Sequence, residues 1–298
     1  MSWFKGTGTA LITPFHTDDT IDESSFEKCL AYQIEHKANA CIVLGTTGES
    51  PVVSFEERSR LIQMAKSMLQ GKMPLIVGTG SNNPAVVLAN NHQAKELGAD
   101  GILLVNPYYN KSTQEGLVDY FSYIAAQSSL PIMLYNVPSR TGMNVLPATI
   151  IKIHQTAPIV SAVKEASGDI SQIAQLMEIK PDSLSIFSGN DDQTIPIMAL
   201  GGIGVVSVAS NVILKEMKSM TDALLQENYI SARQIFFQIL PLLKHLFHET
   251  NPIPVKAGAF LLGLCQNIVR RPLIPISTNL MTTLRQDLER LGYPCALV

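Results

Sequence analysis

The sequence contains little cysteine and no long apolar run. Its four cysteines, Cys29, Cys41, Cys265 and Cys295, form no C-x-x-C pair, and such thiols suit a reducing compartment better than a disulfide framework. No apolar stretch reaches the roughly 20 residues of a membrane span. The N-terminus lacks a basic segment followed by an apolar segment and a cleavage site. We therefore expect a cytoplasmic protein with no membrane partner.

Charge of either sign is also sparse. Asp, Glu, Lys and Arg make up 16% of the 298 residues, and the formal net charge is −3. The densest basic spot is only the pair Arg270-Arg271, so a nucleic-acid partner has no electrostatic support. Hydrophobic residues make up 46%, which is enough for a large core. The low charge suggests that other subunits cover part of the surface.

Eight short apolar runs alternate with longer amphipathic segments. The runs are apolar on both faces, as buried parallel strands are. Eight strands with interleaved helices indicate a closed (β/α)8 TIM barrel or a long doubly wound sheet, and the count of eight favours the barrel. The runs lie at 8–15, 40–45, 74–80, 101–106, 131–136, 159–164, 184–188 and 204–208, with helical spacing at 26–36, 55–70, 85–97, 114–127 and 170–178.

The alternation stops after position 208. Helical patterns follow at 214–225, 229–248, 254–264 and 280–291, and no further strand is indicated. We therefore predict two units, a barrel with the active site at 1–212 and a C-terminal helical region at 213–298. No low-complexity linker separates them, so we expect the helical region to pack on the barrel.

Lys164 is the first candidate for chemistry. In a barrel, functional groups gather where strands end, and Lys164 follows the apolar run 159–163. Burial removes solvation from an ammonium group, and an unprotonated lysine amine can attack a carbonyl carbon to form an iminium. The alternative is a lysine whose charged end reaches solvent from the strand end.

Other polar residues also follow predicted strands. Thr46 and Thr47 lie in the run Gly-Thr-Thr-Gly-Glu, whose N–H groups can hold a carboxylate or phosphate, or which simply caps a helix. Tyr135 ends the strand before that of Lys164, where its phenol can transfer protons or rest in the core. Arg140 lies in a loop rich in Pro, Ser and Gly and either binds a carboxylate or is an exposed charge.

Two further patterns are weak. The run Gly78-x-Gly80-x-x-Asn83 imitates part of a dinucleotide fingerprint but lacks the third glycine. It leaves a nucleotide-binding oxidoreductase as a poor alternative. His245 and His248 share one helix face but match neither zinc-protease order, so we expect no metal site there.

Five motifs in order resemble the family of pyruvate-dependent class I aldolases that includes dihydrodipicolinate synthases and N-acetylneuraminate lyases. They are the motifs GTTGES at 45–50, PYYN at 107–110, YNVPSRTG at 135–142, VKEA at 163–166 and NPIPVK at 251–256. The resemblance extends over essentially the whole chain. It implies a lyase that condenses pyruvate with L-aspartate 4-semialdehyde through a Schiff base, on the diaminopimelate route to lysine, with no metal or organic cofactor.

The resemblance also implies roles for particular residues. Lys164 matches the Schiff-base lysine, and Tyr135 matches the central proton-transfer tyrosine. Thr47 matches the hydroxyl that links Tyr135 to a second tyrosine. That tyrosine matches Tyr109, which in the family reaches across a dimer interface. A homotetramer built as a dimer of dimers is therefore expected.

Substrate-binding positions follow in the same way. Thr46 and Thr47 match the loop that binds the pyruvate carboxylate, and Gly189 and Val206 match backbone positions of the pyruvate pocket. Arg140 matches the arginine that receives the carboxylate of the aldehyde. N-acetylneuraminate lyases lack this arginine, so a carboxylate-bearing aldehyde is favoured. Another aldolase acting on a sugar acid or hydroxy-keto acid stays open, as does a barrel that has lost catalysis and serves as a regulator or binding protein.

One departure from the family concerns feedback inhibition. Lysine-inhibited members carry histidines just after the Gly-Thr-Thr-Gly-Glu loop and an acid near the next helix start. Phe55, Arg58 and Val86 occupy the matching positions here, whereas Asn82 and Tyr108 are retained. We therefore expect lysine inhibition to be weak or absent.

Overall fold

The computed structural model describes residues 3–296 and forms a closed barrel of eight parallel strands. Each strand pairs with its neighbours in the chain, and the last strand pairs with the first, so the sheet has no edge. This confirms the predicted barrel over the doubly wound sheet. The strands are β1 Gly6–Ala10, β2 Ala40–Val43, β3 Leu75–Gly78, β4 Gly101–Val105, β5 Ile132–Asn136, β6 Val160–Glu165, β7 Ser185–Ser188 and β8 Gly204–Ser207.

The first strand differs most from its predicted bounds of 8–15. It ends at Ala10, and the buried residues 11–15 continue as an irregular segment. The Leu11 N–H still donates to the Ile42 carbonyl at 2.8 Å, and Phe15 forms only an isolated antiparallel bridge with Ile21. A run of apolar residues reports burial rather than pairing, so it did not locate the end of the strand.

Helices alternate with the strands, and several begin at clear capping residues. Ser54 and Glu57 form a capping box at the start of α2, and Asn83 caps α3 before Pro84. The helices are α1 Glu23–Glu35, α2 Phe55–Leu69, α3 Pro84–Glu96, α4 Gln114–Ala125, α5 Pro138–Thr141, α6 Pro147–Thr156, α7 Ile170–Ile179, α8 Thr194–Ala199, α9 Leu214–Leu225, α10 Tyr229–His245, α11 Ile253–Leu261 and α12 Thr278–Arg290.

Three of these helices were missing from the sequence prediction. The helices α5 and α8 span four and six residues, which is too short for a 3.6-residue period to become visible. The ten-residue helix α6 is rich in Thr and Ile, residues that favour strands, and its start at Pro147 has no side-chain cap. Tertiary packing therefore decided these segments.

Side-chain alternation along the strands separates two apolar layers. Met133 and Tyr135 on β5 belong to the cluster inside the barrel, together with Val206 on β8. Ile132 and Leu134 belong to the larger layer between strands and helices. This period of two directs alternate side chains of each strand into the barrel. It decides which polar side chains at the strand ends enter the site.

The C-terminal helices pack against the barrel without an intervening linker. The helix α9 contacts β1 and β8, α10 packs on α9, and α12 packs on α10 and α11. The proposed division between 212 and 213 stays a prediction. The contacts of α9 favour counting it in the outer ring and placing a boundary after it. No helix within residues 3–296 is long and apolar enough to cross a membrane.

Candidate active site

Lys164 and Tyr135 lie side by side inside the barrel. They are register partners on β6 and β5, and Lys164 shares its strand face with Ala162 of the inner cluster. Lys164 is 4% exposed, and its Nζ lies 4.3 Å from the centroid of the Tyr135 ring. An aromatic face attracts a cation in this position. The arrangement therefore holds a buried amine next to a tyrosine at the carboxyl end of the strands.

The next residue of β6, Glu165, points away from the barrel interior and ties the two strands together. Its Oε2 accepts from Asn136 Nδ2 at 3.1 Å, and its Oε1 accepts from the Ser167 N–H at 2.7 Å. Burial raises the pKa of Glu165, and these hydrogen bonds partly offset that rise. The cross-strand link fixes the ends of β5 and β6, and with them Tyr135 and Lys164.

Gly189 packs closely beside the lysine. It follows β7, and its N–H donates to the Glu165 carbonyl at 2.7 Å. A Cβ at residue 189 would lie 3.1 Å from Lys164 Cε and 2.7 Å from Ala166 Cβ. Any larger residue would therefore press on Lys164 and Ala166, so glycine allows the end of β7 to approach the amine this closely. Val206 is fully buried in the same inner cluster as Tyr135.

The Gly-Thr-Thr-Gly-Glu loop adopts a tight turn after β2. Leu44, just before the loop, and Glu49, its last residue, have positive φ values of 59° and 53°. Such backbone strain is frequent at functional sites. The N–H groups of Thr46 and Thr47 donate to no protein acceptor within residues 3–296. Two adjacent amides at the carboxyl end of the barrel are thus available to a carboxylate.

Asn251 links two of the predicted residues and was not itself predicted as a site residue. Its Nδ2 donates to Thr47 Oγ1 at 3.0 Å, and its carbonyl accepts from Arg140 Nη2 at 3.0 Å. The partners lie more than a hundred residues away in the chain, so no local pattern reveals the contact. The only signal was its place in the NPIPVK motif, one of the five that carry the family resemblance.

A second distant contact supports the same loop. Glu49 Oε1 pairs with Lys256 Nζ at 2.6 Å, and both side chains are fully buried. The Arg270 N–H donates to Glu49 Oε2 at 2.9 Å, and Lys256 Nζ lies 4.1 Å from the centroid of the Phe15 ring. Burial lowers the pKa of Lys256, and the Glu49 carboxylate opposes that shift. The pair joins α11 to the end of the loop that carries Thr46 and Thr47.

A cavity of about 470 Å³ opens at this end of the barrel. Thr46, Tyr135 and Arg140 line it, and Lys164 contacts the Tyr135 ring without lining the cavity itself. We locate the chemistry at Lys164 rather than at the middle of the cavity, because the buried amine lies against the Tyr135 ring there. The structure thus brings most of the predicted residues to one end of the barrel.

Tyr109 is the predicted site residue that does not contact the others within one chain. Its side chain is 92% exposed, and its backbone has a φ of 69°. Within the described chain it forms no hydrogen bond with Thr47 or Tyr135, and those two form none with each other. A single chain therefore does not assemble the three-residue hydroxyl link. An exposed tyrosine held by strained backbone is nevertheless well placed to contact a second copy.

A (β/α)8 barrel with a buried lysine beside a tyrosine at its carboxyl end is typical of class I aldolases, which activate carbonyl compounds through a lysine amine. Residues 3–291 match the model of the dihydrodipicolinate synthetase family. The chain therefore belongs to this family, as the sequence motifs indicated.

Individual relatives agree over nearly the full length. The 4-hydroxy-tetrahydrodipicolinate synthase of Alkaliphilus oremlandii is 47% identical over 273 residues, which cover 92% of this chain and 93% of the relative. The dihydrodipicolinate synthase structure from Thermotoga maritima is 43% identical, with a TM-score of 0.96 and coverage of 98% and 100%. A Cyanidioschyzon merolae structure with lysine bound is 37% identical, with a TM-score of 0.94 and coverage of 98% and 100%.

Proposed function

We propose that this chain is a lyase that condenses pyruvate with L-aspartate 4-semialdehyde. The product is 4-hydroxy-tetrahydrodipicolinate, on the diaminopimelate route to lysine. The observation that carries the proposal is the buried Lys164 amine, which lies beside the Tyr135 ring and close to Gly189. Relatives named for this reaction at 41–47% identity support it over an aldolase of sugar acids or hydroxy-keto acids.

The first half of the reaction activates pyruvate. The Lys164 amine attacks the ketone carbon, and loss of water gives an iminium. Loss of a methyl proton then gives an enamine, with the iminium nitrogen as the electron sink. Tyr135 is assigned the proton transfers, and the free amides of Thr46 and Thr47 are assigned the pyruvate carboxylate. This electron sink makes a metal ion or organic cofactor unnecessary to the proposed steps.

The second half forms the carbon–carbon bond. The enamine carbon attacks the aldehyde carbon of L-aspartate 4-semialdehyde, and the aldehyde oxygen becomes the product hydroxyl. The substrate amine then attacks the iminium carbon and displaces Lys164, which closes the ring. Overall the two substrates join with loss of one water molecule. Arg140 is assigned the carboxylate of the aldehyde substrate, because its guanidinium can hold a carboxylate through two hydrogen bonds.

The direct test is product formation by the purified full-length protein. Mass spectrometry should detect a product with the summed mass of pyruvate and L-aspartate 4-semialdehyde less one water. Aldehydes without a carboxylate serve as matched competitors for the alternative aldolases. A faster reaction with a neutral sugar aldehyde would contradict the proposed specificity and leave only the pyruvate half in place.

Arg140→Ala is expected to lower kcat/KM for L-aspartate 4-semialdehyde by about 10- to 100-fold, the range for loss of a charged hydrogen bond. The KM for pyruvate should change little, because a different loop is assigned to that substrate. Steady-state kinetics with each substrate varied in turn measures both. Arg60→Ala, which removes an exposed arginine paired with Glu23, is the matched control. Equal losses for the two substrates would contradict the assignment.

We further propose a homotetramer built as a dimer of dimers, with Tyr109 acting in the site of a neighbouring subunit. The support is the 92% exposure of Tyr109 and the low charge of the chain. Closed symmetric oligomers are the usual form of such assemblies. Light scattering on the active protein measures the mass, and an active monomer would contradict the shared site.

Mixing two inactive variants tests the shared site itself. In dimers formed at random from Tyr109→Phe and Lys164→Arg subunits, one site in about four combines the natural Lys164 with a natural Tyr109. Co-expressed subunits should therefore regain about a quarter of the natural activity per site, measured on the whole unselected mixture of assemblies. If Tyr109 acts only within its own subunit, the mixture will show no more than the average of the separate variants.

We also expect weak or absent inhibition by lysine. Phe55, Arg58 and Val86 line the cavity next to Tyr108, and none of them offers a carboxylate to an ammonium group. Millimolar lysine should leave the steady-state rate nearly unchanged. Val86→Glu supplies such a carboxylate and serves as the comparison. Strong inhibition of the natural protein would overturn this expectation.

We assign the reaction to the cytoplasm because the cysteines are free thiols. Cys29, Cys41 and Cys265 are buried thiols, and Cys295 is a partly exposed thiol. Free thiols in a protein with four cysteines suit a reducing compartment. Fractionation of cells that produce the protein would test this assignment.

A further inference from the structure

Asn251 lies in the connection between α10 and α11 and contacts two loops at the carboxyl end of the barrel. Its Nδ2 donates to Thr47 Oγ1 at 3.0 Å, and its backbone carbonyl accepts from Arg140 Nη2 at 3.0 Å. Thr47 follows β2, whereas Arg140 follows β5. One residue from the C-terminal helical region therefore contacts both of the loops to which the two substrates are assigned.

The contact between Asn251 and Thr47 is shielded from solvent. Asn251 is 6% exposed and Thr47 is 2% exposed, so water has little room to replace the hydrogen bond. Within residues 3–296 the Thr47 hydroxyl forms no other hydrogen bond. The same holds for the side-chain amide of Asn251, whose Oδ1 is buried without a donor. Shortening the side chain at residue 251 thus removes this hydrogen bond and no other.

The segment that carries Asn251 is itself fixed to the same loop. Lys256, on α11, forms its buried ion pair with Glu49, two residues beyond Thr47. Asn251 contacts the Thr47 hydroxyl and leaves the Thr47 N–H without a protein acceptor. A donor that is already held in place binds a carboxylate more tightly than a mobile one, because less conformational entropy is lost on binding.

The contact between Asn251 and Arg140 is of a different kind. Arg140 is exposed, and among the described residues its guanidinium forms only this hydrogen bond. Most of its five N–H donors therefore remain free for a carboxylate. The acceptor is a backbone carbonyl, which any residue at position 251 retains. A change of the Asn251 side chain should therefore affect the Thr47 loop and spare Arg140.

We propose that Asn251 is a positioning residue of the reaction, and that its side chain acts in the pyruvate half alone. The side chain holds Thr47 in the conformation that presents its N–H to the pyruvate carboxylate. The backbone carbonyl orients Arg140 toward the aldehyde substrate. This role presupposes the proposed lyase reaction, and it gives the C-terminal helical region a direct part in the site.

Isothermal titration calorimetry with pyruvate alone, on the full-length protein, is the first test. Asn251→Ala should weaken pyruvate binding by about three- to tenfold, the range for one neutral hydrogen bond. The KM for pyruvate should rise by a similar factor, with little change in the KM for L-aspartate 4-semialdehyde. Asn228→Ala, which removes the cap of α10, is the control for lost helix stability and should bind pyruvate as the natural protein does.

Equal increases in both KM values, or unchanged pyruvate binding in Asn251→Ala, would overturn the role of Asn251. Absence of pyruvate binding to the natural protein is a different result, because it would refute the proposed lyase function itself.

Variants of Thr47 test whether Asn251 acts through this residue. Thr47→Val removes the hydroxyl that Asn251 holds and should weaken pyruvate binding at least as much as Asn251→Ala, whereas Thr47→Ser keeps the hydroxyl and the affinity. Adding Asn251→Ala should cause no further loss in Thr47→Val and the full loss in Thr47→Ser. Full loss in both backgrounds would contradict the proposal. If Asn251→Ala does not fold, natural affinity in Thr47→Val would also refute it.

Discussion

Lys164→Arg is expected to abolish turnover, with a loss of about 10³- to 10⁶-fold, as for other essential nucleophiles. Arginine keeps the positive charge and much of the length of lysine, but its guanidinium stays protonated and forms no iminium with a ketone. The barrel should remain folded, because the substitution keeps a cation over the face of the Tyr135 ring. Steady-state rates and circular dichroism together measure both effects.

Chemical trapping of the iminium tests whether the loss of turnover is due to the Lys164 amine. Borohydride added with saturating pyruvate should leave a reduced pyruvate adduct on Lys164 of the natural protein and none on the variant, as mapped by peptide mass spectrometry. Lys152→Arg is the matched control, because Lys152 is exposed and pairs only with Glu115. An adduct on another lysine, or none on folded natural protein, would remove the Schiff-base mechanism. A regulatory or binding role for the barrel would then become the leading hypothesis.

Lys256→Met is expected to lower the free energy of unfolding by about 3–5 kcal/mol, because it leaves the Glu49 carboxylate buried without its partner. The two groups lie 2.6 Å apart with no solvent contact. Glu49 also ends the loop that carries Thr46 and Thr47, so weaker pyruvate binding should accompany the loss of stability. Urea unfolding measures the first effect, and the KM for pyruvate measures the second.

The double variant Glu49→Gln/Lys256→Met separates the lost pair from the lost packing. Replacing both members of a buried ion pair is often close to neutral, so most of the stability should return. The glutamine can still accept the Arg270 N–H that Glu49 accepts at 2.9 Å. Lys152→Met, at an exposed ion pair, should change stability by less than about 1 kcal/mol. A double variant as unstable as Lys256→Met alone would show that the charge is not the cause.

Local patterns in the sequence were sufficient to predict the barrel and the proximity of Tyr135 and Lys164 inside it. Eight apolar runs predicted eight buried strands, since strands covered on both faces have few polar residues. Consecutive strands of a barrel are neighbours, so Tyr135 and Lys164 at the ends of two consecutive runs had to lie close together. The family motifs then assigned chemistry to residues that the pattern alone left open between structure and function.

Only the tertiary structure decided which distant residues complete the site. Asn251 joins Thr47 to Arg140, and Lys256 pairs with Glu49. About 200 residues separate Thr47 from Asn251 and Glu49 from Lys256. The burial of Arg58 without a counter-charge is likewise invisible in a helix that reads as an ordinary amphipathic segment. The hydrophobic periodicity of a strand or a helix involves residues that are close together in the chain, so the sequence by itself determines most of these elements. Contacts between loops arise from the packing of segments far apart in the chain, which no local pattern encodes.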